Sequence, residues 1–492
     1  MALEYETLED LLNNSLLVNE NGLRAVRKLF LLFNNKDADD SNVEQFLRIF
    51  KFYLDNVRFE TVVGKHVLGA FENRKMKDTR NYKRFVGVMK RDAQKGSMIC
   101  IESLSLMYYY GFCMKGSYVK AMKWLYLGVA VESALCQYFL ANVLCNGVVV
   151  KRDYARAFHL LVRSAEKKYV KGVISLGKMY LFGLATEKKY AESYRLFNLP
   201  EVREHDDSQK FLGYMYLYGL HVERDEKKAF AYFKRSAEWG NSFGMFNVGL
   251  CYKYGWGVGV DLKEAMKYIR ESAEEGNSVA CAYFGRICYK GEGKDNGEAL
   301  KWFSLSAADN DKKGITNLGV LYYYGDGVKR DLGKARELFK RASALGSVLA
   351  ESSVGFMSFN GDAPDYGKAF EIFSSTAKRK CYLAMECLGM MYYNGSGVKQ
   401  DFKEAGKWFE SSMANGTDSE NVPYMLGYMN LKGLGFVQNE GIALQMFKLA
   451  RKRGCVAAEK YYDSNTEDEV EVEIEKPSPE KTVVYSDSSY YF

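Results

Sequence analysis

Proline is scarce in this chain, at five residues in 492, and histidine is scarcer still, at four. So little proline removes the commonest interruption of a helix interior. With abundant Ala, Lys, Glu, Leu, Met and Tyr, it points to long helical runs rather than strands and turns. The histidines, His66, His159, His205 and His221, lie far apart in the sequence. No HExxH segment, Walker loop or nucleophile elbow accompanies them, so catalysis and a resident metal or cofactor have little to stand on. The ten cysteines form no CxxC pair and keep no common spacing. That suggests neither a zinc site nor a disulfide ladder, and leaves reduced, mostly buried thiols. No stretch of about eighteen apolar residues is present, so a membrane-spanning helix is not expected. The opening MALEYETLEDLLNNSLL carries acids where a signal peptide needs bases, and the final SSYYF offers no prenylation box. A soluble cytoplasmic protein is the expectation.

Charge is uneven. Lys and Arg number 69 against 62 acids, a net +7, but from Ser464 to Phe492 there are eight acids and two bases. That segment carries −6 and the rest of the chain about +13 by difference. Spread over so long a body, with no Lys/Arg cluster and no RNA-binding aromatic motif, the excess does not point to nucleic acid.

What the chain has in quantity is repetition. The stretch LGVLYYYGDGVKRDLGKARELFKRASALG, Leu318 to Gly346, recurs in pattern ten times. Its turn glycines are Gly111, Gly147, Gly183, Gly219, Gly255, Gly291, Gly325, Gly361, Gly395 and Gly433, spaced 34 to 38 residues apart. A fixed period of this size means stacked supersecondary units. Small or apolar residues eleven, seven and four or three positions before each glycine form one helical stripe, as in Ala280, Phe284 and Ile287. A second glycine six positions upstream, such as Gly319, costs about 1 kcal/mol against alanine in a helix interior, so it marks close helix approach. After the turn comes an alanine with a large apolar residue four further on, as in Ala335 and Phe339, on one face of a second helix. The third repeat departs, with Ser193 in the alanine position.

The GDGVKRD segment reads as a turn. Four positions before each alanine stand Ser117, Asp153, Lys189, Asp225, Asp261, Asp295, Asp331, Asp365, Asp401 and Asn439, nine of them good N-cap residues. A phosphate cradle needs one distinctive loop, and here the same loop is written ten times. GWGVGV at Gly255 and GEGKDNG at Gly291 are turns for the same reason.

The unit closely resembles the Sel-1-like repeat, a relative of the tetratricopeptide repeat. Leu318, Gly319, Tyr322, Gly325, Gly327, Val328, Asp331, Lys334, Ala335, Phe339, Ala342 and Gly346 carry the match. Departures are local, with Ser358, Asn430 and Cys288 in place of a tyrosine. The resemblance implies an all-α, right-handed α-solenoid superhelix of about ten antiparallel helix pairs. Residues 80–462 read as the repeat solenoid, its first part, 82–96, as the second helix of a degenerate extra repeat. Residues 1–79 read as an N-terminal helical cap and 463–492 as an acidic disordered tail, in which Glu469 to Glu475 alternates with Val and Ile.

The resemblance further implies a non-enzymatic scaffold or adaptor that takes a partner peptide or helix in its concave groove. It brings no cofactor and makes a small-molecule substrate unexpected. Positions twelve, nine, five and two before the turn glycine fall near 140–220° from the core stripe at about 100° per residue. They supply the groove candidates Tyr138, Lys178, Lys210, Tyr214, Phe246, Lys253, Arg286, Tyr289, Tyr323, Phe356, Phe359, Tyr393, Tyr424 and Tyr428. Fungal activators of chitin synthase and adaptors of the endoplasmic-reticulum ubiquitin ligase are the family roles of this kind. A hydrolase with a site between repeats is the reading from another class.

Overall fold

The computed structural model describes residues 80–110, 116–147, 149–290, 294–361 and 364–461. The expected cap over 1–79 and the expected disordered tail lie outside them. The described residues are helical and fall into two compact units, one ending at Asn277 and the other beginning at Ser278.

The first unit opens with α1 (Arg80–Gln94), where the degenerate extra repeat was expected. Five helix pairs follow. They are α2 (Met98–Tyr110) with α3 (Tyr118–Ala130), α4 (Ala134–Asn146) with α5 (Tyr154–Glu166), and α6 (Val170–Phe182) with α7 (Tyr190–Phe197). After a single turn, α8 (Pro200–Arg203), come α9 (Asp206–Tyr218) with α10 (Glu226–Glu238) and α11 (Ser242–Tyr254) with α12 (Leu262–Glu274). The second unit has five more pairs. They are α13 (Ser278–Lys290) with α14 (Asn296–Ala308), α15 (Lys312–Tyr324) with α16 (Leu332–Ala344), and α17 (Val348–Phe359) with α18 (Tyr366–Lys378). The last two are α19 (Tyr382–Asn394) with α20 (Phe402–Ala414) and α21 (Asn421–Lys432) with α22 (Glu440–Lys452). The architecture is an all-α solenoid.

Each pair is built as its sequence dictates. In the α15–α16 turn, Gly325 at φ +81° ends α15 and donates its N–H to the Leu321 carbonyl. Gly327 is also left-handed, and a Cβ there would lie 2.5 Å from the Asn296 carbonyl oxygen of the preceding pair. No other residue type fits that approach. Asp331 then starts α16, its N–H donating to the Tyr322 carbonyl and its Oδ1 accepting the Lys334 N–H at 2.9 Å. Side-chain caps of this kind form at all nine of the expected cap residues, and Lys189, the tenth, makes none. Gly361 departs from the expected turn. Its loop is two residues shorter, α17 ends at Phe359, and Gly361 does not take the left-handed conformation. Gly111 and Gly291 lie outside the described residues.

The antiparallel packing of a pair is locked at its far end by a serine. Ser164, Ser236, Ser272, Ser306 and Ser412, all buried near the end of second helices, donate to the carbonyls of Ala134, Asp206, Ser242, Ser278 and Tyr382 in the first turn of the partner helix. Between turn and lock lies the core. Phe197, Phe211, Phe233, Phe303, Phe373 and Phe409 are its largest fully buried rings, and Phe339 is 2% exposed. A dozen-residue helix is marginal alone in water, so each pair depends on this burial and on its neighbours. Eight of the nine described cysteines are buried and none is paired.

Candidate functional site

Within a unit, first helices are packed by the second helix of their own pair and by the second helix of the preceding pair, and several also touch a neighbouring first helix. Only a narrow arc of each is therefore left to solvent, and it is rotated from the side opposite the core. On α15 the arc includes Lys312, Lys313, Asn317, Val320 and Tyr324, the last 59% exposed. These are positions thirteen, twelve, eight, five and one before the turn glycine.

The position nine before the glycine does not belong to that arc. It is buried in seven repeats, at Glu102, Ile174, Lys210, Phe246, Ala282, Thr316 and Ser352. At Glu102, Tyr138, Thr316 and Glu386 the side chain at this position reaches toward the start of the next first helix. Ser133 donates to Glu102 Oε1 at 2.6 Å, and the hydroxyls of Thr316 and Ser347 are 3.1 Å apart. The Tyr138 and Tyr169 rings meet at 5.6 Å, and Ser419 donates to Glu386 Oε1 at 2.8 Å. Ser133, Tyr169 and Ser347 are the N-cap residues of α4, α6 and α17. Phe246, 3% exposed, and Lys210, 5% exposed, are thus removed from the candidate wall. The wheel expected them outside because it assigned one packed face to a helix that has two.

Arg286 is exposed, and the other candidates are half-buried, many of them against the adjoining repeat. In the first unit, Tyr214 donates to Asn247 Oδ1 at 3.0 Å, and the amines of Lys178 and Lys253 sit over the Phe211 and Tyr254 rings. In the second, Tyr289 donates to Asp326 Oδ2 at 2.6 Å, which gives the aspartate of GDG a partner one repeat back. The Tyr323 and Phe356 rings on successive first helices are 5.9 Å apart. Phe359 meets Tyr366, Tyr393 meets Phe402 and Tyr424 meets Phe447 at 5.3 to 5.9 Å, while Tyr428 packs at the edge of the last core cluster. The wall is a ladder of rings set by neighbours, interrupted by cations.

Charge gathers on the second unit's wall. Burial, with the Arg286 and Lys312 charges, lowers the Lys313 amine to about 8 against the opposing pull of Asp311. Burial raises the Tyr382 hydroxyl to about 12, Asp418 adds to the rise, and Arg286 opposes it. The Glu386 carboxyl is pushed up by burial and held down by the Ser419 hydrogen bond. Lys313, Tyr382 and Tyr324 were not among the candidates read from the sequence. Lys313 stands twelve before the glycine, one of the four positions the sequence had singled out near 220°, whereas Tyr324, one before it near about 240°, falls just outside that span.

Among the described residues one trio, His205, Asp206 and Asp207, brings three metal-ligating types within 4.8 Å. Its atoms are already engaged. His205 Nδ1 lies 2.8 Å from Asp206 Oδ1, Lys210 Nζ lies 2.8 Å from Asp207 Oδ1, and the Asn241 amide donates to both aspartates. It ties the start of α9 to the start of α11.

The Sel1 repeat model matches ten segments, 102–129, 134–169, 172–199, 206–241, 242–277, 278–311, 313–347, 348–381, 383–416 and 424–455. They coincide with the ten helix pairs. A Sel1 repeat protein from Oxalobacter formigenes is 30% identical, with 49% of this chain and all of that one aligned, at a TM-score of 0.42. The protective antigen c5321 of uropathogenic Escherichia coli, described as displaying an SLR fold, is 24% identical over 86% of this chain and 91% of its own, also at 0.42. No curated protein sequence matches. With the repeat model covering more than half of its length, the chain belongs to the Sel1 repeat family.

Proposed function

We propose that the chain is a non-enzymatic adaptor that holds a peptide or helix of a partner protein along its first-helix wall. The observation that carries this reading is the Tyr323–Phe356 ring pair, half-exposed on successive repeats beside the exposed Tyr324. Rings held in place by one another lose little freedom when a partner arrives, and aromatic and arginine side chains are favoured interface anchors. The core positions repeat their chemistry from pair to pair, whereas these positions change it, as selectivity for one partner requires. We extend the reading to the regulation of an enzyme complex such as a chitin synthase, with an endoplasmic-reticulum ubiquitin ligase as the second candidate assembly.

Affinity capture from the source cell tests it. The wild-type chain should recover one stoichiometric partner, and the Tyr323→Ala, Phe356→Ala double variant should lose it with its helical circular dichroism unchanged. Equal recovery by both would overturn the reading. Hydrolysis of an ester, lactam or nucleotide panel by the purified chain, lost on the same substitutions, would overturn its non-enzymatic part.

A further inference from the structure

The basic excess expected to be spread over the body is instead concentrated. Residues 80–168 hold fifteen Lys and Arg against five Asp and Glu, a surplus of ten in a chain of +7, so everything else is acidic by three. Among the described residues ten of these cations are exposed, against three acids, Glu132, Asp153 and Glu166. Two of the three acids are engaged. Glu132 lies 2.9 Å from Lys167 Nζ and 3.8 Å from Arg163, and Asp153 caps α5, accepting the Arg156 N–H at 2.9 Å. Rings mark where three successive second helices of the first unit adjoin. The Lys90 amine of α1 and the Lys120 amine of α3 lie over the same Tyr108 ring, at 5.9 and 5.5 Å, and the Arg156 guanidinium of α5 lies 5.3 Å from the Tyr126 ring of α3. Between its neighbours, α3 has no acid at all. Its buried residues, Ala121, Met122, Leu125 and Gly128, define its packed side, and at about 100° per residue Val119, Lys123, Tyr126 and Leu127 share the opposite one. Val119 is 82% exposed, Tyr126 40% and Leu127 37%. On α12, by contrast, Lys263, Lys267 and Arg270 are interleaved with Glu264, Glu271 and Glu274, and Lys267 lies 3.5 Å from Glu264.

We propose that the outer side of α1, α3 and α5 is a docking surface for an anionic lipid bilayer. Charge complementarity supplies the attraction, since clustered Lys and Arg side chains gather at a negatively charged leaflet. The apolar side chains among them choose the occupant. Nucleic acid also attracts cations, but its phosphates give the exposed Val119 and Leu127 nothing to bury against. A bilayer accepts valine and leucine at the boundary of headgroup and acyl chain and holds tyrosine at the interface, the company that Lys123, Tyr126 and Arg156 keep here. An extended acidic peptide is held by a cleft, whereas the outer side of these helices presents ridges. The chain would lie on the bilayer without crossing it. Docking by second helices keeps the first-helix wall of the same unit clear, so the inference goes beyond the adaptor reading and does not depend on it.

Co-sedimentation of the full chain with vesicles tests it, using phosphatidylcholine alone and phosphatidylcholine with about a third phosphatidylserine. The chain should bind the anionic vesicles and not the neutral ones, and should come off as salt rises from about 0.1 to 0.5 M. Lys123→Glu with Arg156→Glu should weaken anionic-vesicle binding at least about thirtyfold. Lys263→Glu with Lys267→Glu, the same change of charge at exposed positions of α12, should weaken it far less, with helical circular dichroism and urea midpoints equal throughout. Val119→Ser with Leu127→Ser, which keeps every charge, should weaken it about fivefold or more. No binding to anionic vesicles, equal binding to neutral ones, or equal loss from the two charge-reversed pairs overturns the surface. Full vesicle binding by the serine variant overturns the lipid assignment. So does tighter binding of a double-stranded RNA oligonucleotide or of polyglutamate than of the vesicles, unaffected by the serine substitutions, which would give the surface to nucleic acid or to an acidic protein.

Discussion

The ring of Phe339 rests on bare backbone at Gly319: a Cβ at that glycine would stand 2.6 Å from Phe339 Cε1. The same relation joins Gly177 to Phe197, Gly213 to Phe233 and Gly389 to Phe409, each at 2.6 Å. Gly319→Ala should gain up to about 1 kcal/mol of helix propensity and cost about 1–3 kcal/mol in overpacking, a net loss. Gly87, an exposed residue inside α1 with nothing within 4 Å of a built Cβ, gives the control. Its alanine variant should gain that propensity alone. Urea midpoints moving in opposite directions would bear out the assignment; a stabilised Gly319→Ala would contradict it.

A second expectation concerns Tyr289 and Asp326. Burial, then the hydrogen bond to Asp326, holds the Tyr289 hydroxyl above the ordinary tyrosine range. A raised folded-state value means that this group's stabilisation is complete below about pH 10, the unfolded value, and is lost as pH rises beyond it. Tyr289→Phe should cost about 1–3 kcal/mol at pH 7, as for a hydrogen bond to a charged acceptor. The difference from wild type should shrink on the alkaline side. Denaturation at pH 7, 9 and 11 checks it, and a difference independent of pH would rule out the linkage.

Why the fold was readable and the wall only partly so follows from particular residues. Asp331 and Gly325 act within one helix-turn-helix, and their requirements, a capping oxygen and a positive φ, are properties of residue type at a fixed spacing. Gly319 was readable too, because a glycine recurring inside a helix is costly without a ring to receive. Phe246 misled because a first helix is packed on more than one side, which spacing along one helix does not show. Tyr382 was invisible for a stronger reason. Its environment is made first by burial and then by charges on other repeats, Asp418 and Arg286, which the spacing of residues along one helix does not reveal.

Lys313 yields a third expectation. Burial lowers its amine to about 8, with Arg286 and Lys312 adding to the fall, so between about pH 8 and the unfolded value near 10.4 the unfolded chain holds more protons than the folded one. Stability attributable to this residue therefore rises with pH through that window. Lys313→Met, which keeps the stem and drops the charge, should be more stable than wild type at pH 7 and lose that advantage by about pH 11. Thermal unfolding at both values measures it. A destabilised variant at pH 7 would show that the charge is better accommodated than the cluster of cations implies.

Three neighbours on α15 provide the sharpest check of which face does what. Leu318 is buried in the pair's own core, and its change to alanine should cost about 2–5 kcal/mol. Thr316, also buried, donates to or shares hydrogen bonds with the Lys312 carbonyl and Ser347, so Thr316→Val keeps the shape and should cost about 1 kcal/mol by loosening one repeat from the next. Tyr324, 59% exposed, should cost within about 0.5 kcal/mol when changed to alanine, yet weaken capture of a partner that lies on the wall. Stability and capture thus separate along a single helix: the first falls with Leu318 and Thr316, the second with Tyr324. If Tyr324→Ala unfolds the chain as readily as Leu318→Ala, the exposed arc has been placed on the wrong side of the first helices, and the adaptor reading loses the surface on which it depends.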